Sequence, residues 1–215
     1  MRETREYLWA DEEMVVRPEY KYIESWIRDG SSVVDLGCGD GALLRLLKRE
    51  KIIREFGIEV AESGVKICRK HGLQVRAGRI DVPLTDLADQ SFDVAVCNVT
   101  LQMVVKPEIL LQEMKRIARF QIISLPNFAF LLQRLDLLFT GRMPRKLLYG
   151  YSWYSTGHIH QLSIKDFKKT ARDLGLEIID AVYLFGRRKM CCPVWPNILS
   201  TEAIFLLEAS PKGGT

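Results

Sequence analysis

The 215-residue chain predicts an α/β fold, a three-layer, doubly wound and mostly parallel sheet, and three observations predict it. The apolar run Val33-Val34 passes through Asp35-Leu36 into Gly37-Cys38-Gly39-Asp40-Gly41 and then into a helical pattern over 42–48. That is the strand, glycine loop and helix order of a nucleotide-type pocket. Strand-like and helical segments then alternate at lengths that suit parallel strands joined by crossover helices. Finally, the strand-like run 54–59 ends on Glu59, 24 residues after Asp35, close to the spacing of a ribose-binding carboxylate in such folds.

The elements follow in order. Residues 18–28 read as a helix with Tyr22, Ile23, Trp26 and Ile27 on one side, and Asp29-Gly30 turns it into the first strand. After Glu59 comes a helix over 62–71 stopped by Gly72, then a short strand near 73–77. Asp89-Gln90-Ser91 turns into a strand over 92–97, and Pro107 opens a helix through Ala118 that feeds a strand over 121–125. Ligands of such sheets sit at the carboxyl ends of the strands, where Asp35, Glu59 and Asn98 fall. Over 128–139, Phe128, Leu131, Leu132, Leu135, Leu138 and Phe139 recur at helical spacing and define the face expected to pack on the domain. Phe130 and Leu137 lie opposite, so this helix is either buried between layers or offers these two residues to a partner. The segment 141–161 has little periodicity but holds Arg142, Pro144, Trp153, Tyr154, His158 and His160, and loops of that length are commonly lids or binding loops. Ser163 caps a helix ended by Gly175, and runs over 176–185 and 201–208 suit a final antiparallel pair.

The charges of the glycine loop narrow its ligand. Glycines permit positive φ and close backbone approach, yet Asp35 and Asp40 flank them, and like charges at about 4 Å cost about 4 kcal/mol at an effective dielectric near 20. A pyrophosphate is therefore disfavoured, and with it a nicotinamide dinucleotide. A cationic adenosine ligand, S-adenosylmethionine, suits the loop, with Glu59 accepting from both ribose hydroxyls. The remaining composition is that of one domain, 1–215, with an insertion at about 128–162; 47% of residues are hydrophobic, enough for a proper core. The apolar stretches 94–105 and 128–139 are interrupted by polar residues and are too short for a membrane span. The acidic N-terminus lacks a signal-peptide pattern, and a cytoplasmic protein is expected. Five cysteines, none spaced as a zinc pair, suggest buried thiols rather than disulfides or a metal site. His158 and His160 lack a third ligand at useful spacing. A scattered net charge of +4 without an aromatic-basic motif gives no reason to expect nucleic acid.

The string Asp35-Leu36-Gly37-Cys38-Gly39-Asp40-Gly41, with Glu59 and Ser91-Phe92-Asp93-Val94, resembles the class I S-adenosylmethionine-dependent methyltransferases. The ordered set Arg17-Pro18, Thr100-Leu101-Gln102, Pro126-Asn127-Phe128, Gly141-Arg142-Met143-Pro144, Trp153-Tyr154 and Ile159-His160 is similar to the methionine biosynthesis protein MetW family. That resemblance implies seven strands in the order 3-2-1-4-5-7-6, the seventh antiparallel. It implies S-adenosylmethionine or S-adenosylhomocysteine over the first four strands. Asp35, Gly37, Cys38, Gly39, Asp40 and Gly41 would hold the methionine part, Glu59 the ribose, and Asn98 and Leu101 the methionine and sulfonium side. Where relatives place Gly-Asp after strand three, this chain has Gly78-Arg79, so Asp81 is the substitute for the adenine amino group. The expected activity is methyl transfer to a small acceptor, with Tyr154, His158 and His160 as candidate bases. The alternative is a non-catalytic, adenosylmethionine-sensing subunit of homoserine O-acyltransferase; a homodimer is the other association considered.

Overall fold

The computed structural model describes residues 14–143, 156–191 and 194–210. Eight strands form one sheet: β1 (Ser32–Leu36), β2 (Arg54–Glu59), β3 (Val75–Ala77), β4 (Phe92–Asn98), β5 (Ala118–Pro126), β6 (Leu176–Phe185), β7 (Arg188–Lys189) and β8 (Glu202–Ala209), in the order β3-β2-β1-β4-β5-β8-β6-β7. The first five are parallel, and β8 runs antiparallel to both β5 and β6. The helices are α1 (Tyr20–Trp26), α2 (Ala42–Glu50), α3 (Glu62–Lys70), α4 (Pro107–Ile117), α5 (Leu131–Thr140), α6 (Ile164–Asp173) and the one-turn α7 (Pro196–Leu199).

All five residues of β1 are buried, as a central parallel strand covered on both faces requires. Its side chains alternate between two layers. Val33 joins Tyr20, Ile23, Leu43, Leu47 and Cys68 under α1, α2 and α3, whereas Val34 joins Leu110, Met114, Phe167 and Phe205 under α4 and α6. Phe167 stacks on Phe205 at 4.8 Å between centroids, fixing α6 over β8. α6 starts with a full capping box, Ser163 accepting from the Asp166 amide while Asp166 accepts from the Ser163 amide. Because β1 has β2 on one side and β4 on the other, successive crossovers leave β1 in opposite directions and open a crevice at the carboxyl ends of β1 and β4.

The structure departs from the sequence-based expectation in three places. The described residues form eight strands rather than seven: Leu184 and Phe185 pair with Lys189 and Arg188, so the basic residues after Gly186 return as a two-residue edge strand. Without β7 the order is the expected 3-2-1-4-5-7-6, with the last strand antiparallel. β5 begins at Ala118, directly after α4 ends at Ile117. The largest difference is α5, which is turned over. Its start is Leu131, and Phe130 and Gln133 are the residues that face the protein, 7% and 1% exposed. Phe130 packs edge-on against Phe185 at 5.8 Å. Leu131, Leu132, Leu135, Leu138 and Phe139, expected to be the buried stripe, are exposed. Of the two residues expected to be offered to a partner, Phe130 is removed from solvent by packing against Phe185, whereas Leu137 is 46% exposed.

Candidate functional site

The crevice is built by the turn from β1 into α2. Gly37, Gly39 and Gly41 all take positive φ (85°, 58° and 76°), a conformation that a Cβ disfavours. A Cβ on Gly37 would also meet Thr100 Cγ2 at 2.6 Å, and one on Gly41 would meet Leu73 Cδ1 at 2.4 Å. The loop is tied down by Ile58, whose carbonyl accepts from the amides of Gly37 (2.8 Å) and Cys38 (3.2 Å). Under it lie two buried thiols, Cys38 and Cys68, with Sγ atoms 4.0 Å apart. The contact with Cys68, then burial, push the Cys38 thiol far above its ordinary range, so it packs as a small apolar group.

Two carboxylates flank this loop in different states of engagement. Glu59, buried at the end of β2, accepts from the Gly39 amide through Oε2 (2.8 Å) and from the Ala61 amide through Oε1 (2.8 Å). It therefore braces the loop and keeps a lone pair on each oxygen for another donor. Asp35, 2% exposed, has no hydrogen-bond partner for its buried Oδ1 among the described residues. Burial first, then the Glu59 and Asp40 charges against a counteracting Arg17, push its carboxyl up to about 7. A buried, unpartnered carboxylate oxygen is costly, and its position beside the amides of a glycine loop fits a bound ammonium group. Asp40 uses Oδ1 locally, accepting from the Ala42 amide at 3.1 Å.

The rest of the crevice divides into two ends. Towards β3, a cleft of about 610 Å³, counting its open mouth, is lined by Gly37, Ile58, Glu59, Val60, Gly78, Arg79, Ile80, Asp81, Thr100, Met103 and Val104, a size suited to a nucleoside. Asp81 is forked by Arg79 (3.0 and 2.7 Å) and accepts from the Val105 amide at 2.8 Å. Burial works against its charge, but these donors outweigh it and hold the carboxyl below its usual range. Arg79 thus does not remove the acid from the cleft; it anchors the acid two residues later.

Towards β5, Asn98 donates to Glu19 Oε1 at 3.2 Å and accepts from Ser124 Oγ. The next residue, Val99, has φ +50°, a strained conformation for a β-branched residue. It is held by donation to Ser124 Oγ at 3.0 Å, and it starts the turn that carries Thr100 and Met103 into the cleft. Glu202, the first residue of β8, pairs with Pro126 at the carboxyl end of β5, and its buried Oε1 has no partner among the described residues. Burial, then the nearby Glu19, push its carboxyl up to about 8, against Arg17.

Of the residues predicted from sequence, the structure gathers Asp35, Gly37, Cys38, Gly39, Asp40, Gly41, Glu59, Asp81 and Asn98 around one crevice. Leu101 instead is core, 3% exposed, and lines a separate cavity with Leu111, Phe167 and His160; its neighbours Thr100 and Met103 line the cleft towards β3. The two candidate histidines are also not among the residues that line that cleft. His158 Nδ1 pairs with Thr156 Oγ1 at 2.9 Å, its ring meets Phe128 edge-on, and burial lowers its pKa. His160 is fixed through its backbone, donating to the Gln102 carbonyl at 3.0 Å. Tyr154 and Trp153 lie outside the described residues. Glu19 and Glu202 went unrecognised in the sequence; an acid just before a helix, or at a strand start, carries no signal of where the fold brings it. Among the described residues no group of three or more potential ligands gathers around a metal position, and no helix is long and apolar enough to cross a membrane.

Comparison with known proteins agrees with this geometry. A family model described as "Methionine biosynthesis protein MetW" matches residues 17–207. A bifunctional methionine biosynthesis protein MetXA/MetW of Rhodopirellula baltica is 29% identical over 192 residues, 85% of this chain and 31% of the relative. The chain spans about a third of the length of the curated relatives it matches. Among solved structures, a SAM-dependent methyltransferase of Thermotoga maritima superposes with a TM-score of 0.66 at 20% identity, over 89% of this chain and 87% of that one. The magnesium protoporphyrin IX methyltransferase of Synechocystis, solved with bound S-adenosylhomocysteine, gives 0.62 at 15%, over 89% and 82%. At these identities the two structures show the shared fold alone.

Proposed function

The chain belongs to the MetW family of methionine biosynthesis proteins, and from that premise we propose that it binds S-adenosylmethionine in the β1–α2 crevice and passes its methyl group to a small acceptor. The observation that carries this reading is Asp35: a buried carboxylate with an unpartnered oxygen beside three left-handed glycines. The residues present fit the cofactor from end to end. Asp35 and the loop amides take the amino acid part, Asp35 opposite the ammonium group. Glu59 keeps one lone pair per oxygen for the ribose hydroxyls. Ile58, Val60, Ile80, Met103 and Val104 supply an apolar slot for adenine, and Asp81 Oδ1, which accepts from Arg79 Nε, keeps a lone pair for the exocyclic amine.

Bound there, the cofactor supplies a methyl group on a charged sulfur that departs readily. The protein's task is alignment and water exclusion. On the acceptor side, Glu202 Oε1, unpartnered among the described residues and close to Glu19, can take a proton from an acceptor hydroxyl or ammonium; burial raises its carboxyl to about 8, so it acts through its ionised fraction, which grows above neutral pH. Calorimetric titration with S-adenosylmethionine, S-adenosylhomocysteine and NAD tests the reading. Binding of the first two and not the third is expected; preference for NAD would reverse it.

A second reading shares the same cofactor site. The fused MetXA/MetW relative favours a chain that works alongside a MetXA-type protein, by the family resemblance a homoserine O-acyltransferase, and adjusts it to the supply of adenosylmethionine. In that case acyltransferase activity responds to S-adenosylmethionine only when this chain is present; an identical response without it sinks the reading.

A further inference from the structure

α5 carries an apolar face that is exposed among the described residues. Leu131, Leu132, Leu135, Leu138 and Phe139 fall within about 120° of one another at the 100° helical step; Phe139 is 79% and Leu138 72% exposed. The patch continues beyond the helix. Phe130 docks on Phe185, itself 56% exposed at the end of β6. Arg134 reaches the Asn197 carbonyl at 3.5 Å, holding α7 alongside, with Trp195, 70% exposed, at its cap. Trp195 takes φ +57°, an uncommon conformation for a bulky residue. An exposed Trp, two Phe and four Leu gathered at one end of a molecule mark an interaction site rather than scattered surface residues.

The rim decides what covers it. Arg134, Arg142, Arg187 and Arg188 are exposed around the patch, and Asp136 is the one acid on α5. A two-fold dimer would set this arginine rim against its own copy, since the same patch meets itself across the axis, and like charges across an interface are costly. A partner with an apolar centre and an acidic rim meets no such penalty. We propose that the outer face of α5, continued by Phe185 and Trp195, is the docking surface for the acyltransferase-type partner. This rests on the second reading above. In the fused relative a MetXA part and a MetW part share one chain, so the two work side by side, and among the described residues this is the apolar face left open to such a neighbour.

The test uses the full chain and the homoserine O-acyltransferase of the same organism. Wild-type protein should bind it in calorimetry or co-purification. The double variant Leu138→Asp/Phe139→Asp should bind about 30-fold more weakly or not at all, as for loss of a central anchor, with unchanged thermal transition and unchanged S-adenosylhomocysteine affinity. Arg187→Glu/Arg188→Glu should weaken association about tenfold and reduce its salt dependence. Wild-type binding that survives the α5 variant overturns the face and leaves the partner reading standing; no wild-type binding overturns both. A lowered thermal transition in the α5 variant, a dimer that it dissociates, or anionic vesicles that it ceases to bind while the acyltransferase is still bound would each assign the face to another occupant and overturn the proposal.

Discussion

Asp35 sets the pH behaviour expected of the site. Its carboxyl stands at about 7 against an ordinary 3.8, so the ligand-free fold favours the neutral form. The stability this contributes is complete below about pH 4 and is lost as pH rises through 7. Asp35→Asn should therefore stabilise the ligand-free protein at pH 8, by on the order of 2 to 4 kcal/mol, and change little near pH 4. Binding runs the other way. The ammonium of S-adenosylhomocysteine needs the ionised form, so affinity should rise from pH 6 to pH 8 with release of one proton, and the Asn variant should bind weakly at both. Calorimetry in buffers of different ionisation enthalpy reads the proton directly; a flat profile would remove Asp35 from the site. Glu59→Ala should weaken binding by about 1.5 to 3 kcal/mol, because it removes both the ribose acceptor and the brace on the Gly39 amide. Asp35 and Glu59 were legible in the sequence because their positions follow from strand length. Glu19 was not, since its reach to Asn98 depends on where α1 settles across the sheet.

At the scale of elements, α3 supports the glycine loop from below, and Gly64 is the contact. A Cβ there would stand 2.5 Å from the Gly39 carbonyl oxygen. Alanine in a helix interior ordinarily gains about 0.5 to 1 kcal/mol over glycine. Here Gly64→Ala should instead lower the thermal transition and weaken S-adenosylhomocysteine binding at least tenfold, by pushing the loop off its seat; a more stable variant with intact affinity would show that the loop yields freely. The strands and α2, α3, α4 and α6 were readable because a single periodicity and a clear start or stop signal mark each. α5 was not. Its apolar residues occupy both sides, and the side it buries carries Gln133, 1% exposed with neither amide atom hydrogen-bonded among the described residues, a choice that hydrophobic pattern alone assigns to solvent. The extra strand β7 was equally hidden, being two charged residues whose pairing is set by the turn before them.

For the molecule as a whole, ligand binding and stability are linked. S-adenosylhomocysteine at a hundredfold excess over its dissociation constant should raise the unfolding free energy by about 2.7 kcal/mol, seen as a concentration-dependent rise in the thermal transition; a transition insensitive to the ligand would mean that the crevice does not bind it in the folded state. The sheet order carries a further consequence, for the way the chain is made. β8, the last strand in sequence, lies inside the sheet between β5 and β6, so β6 and β7 have no edge to join until residue 209 is available. During synthesis the parallel half from β3 to β5 can assemble as it emerges from the ribosome, while the hairpin of β6 and β7 must wait with its apolar side chains uncovered. Force measured on nascent chains of increasing length should accordingly rise in two separate steps, the second only after β8 has left the exit tunnel. The newborn protein thus passes through an interval in which half a sheet is open to chaperones, or to neighbouring chains that emerge beside it.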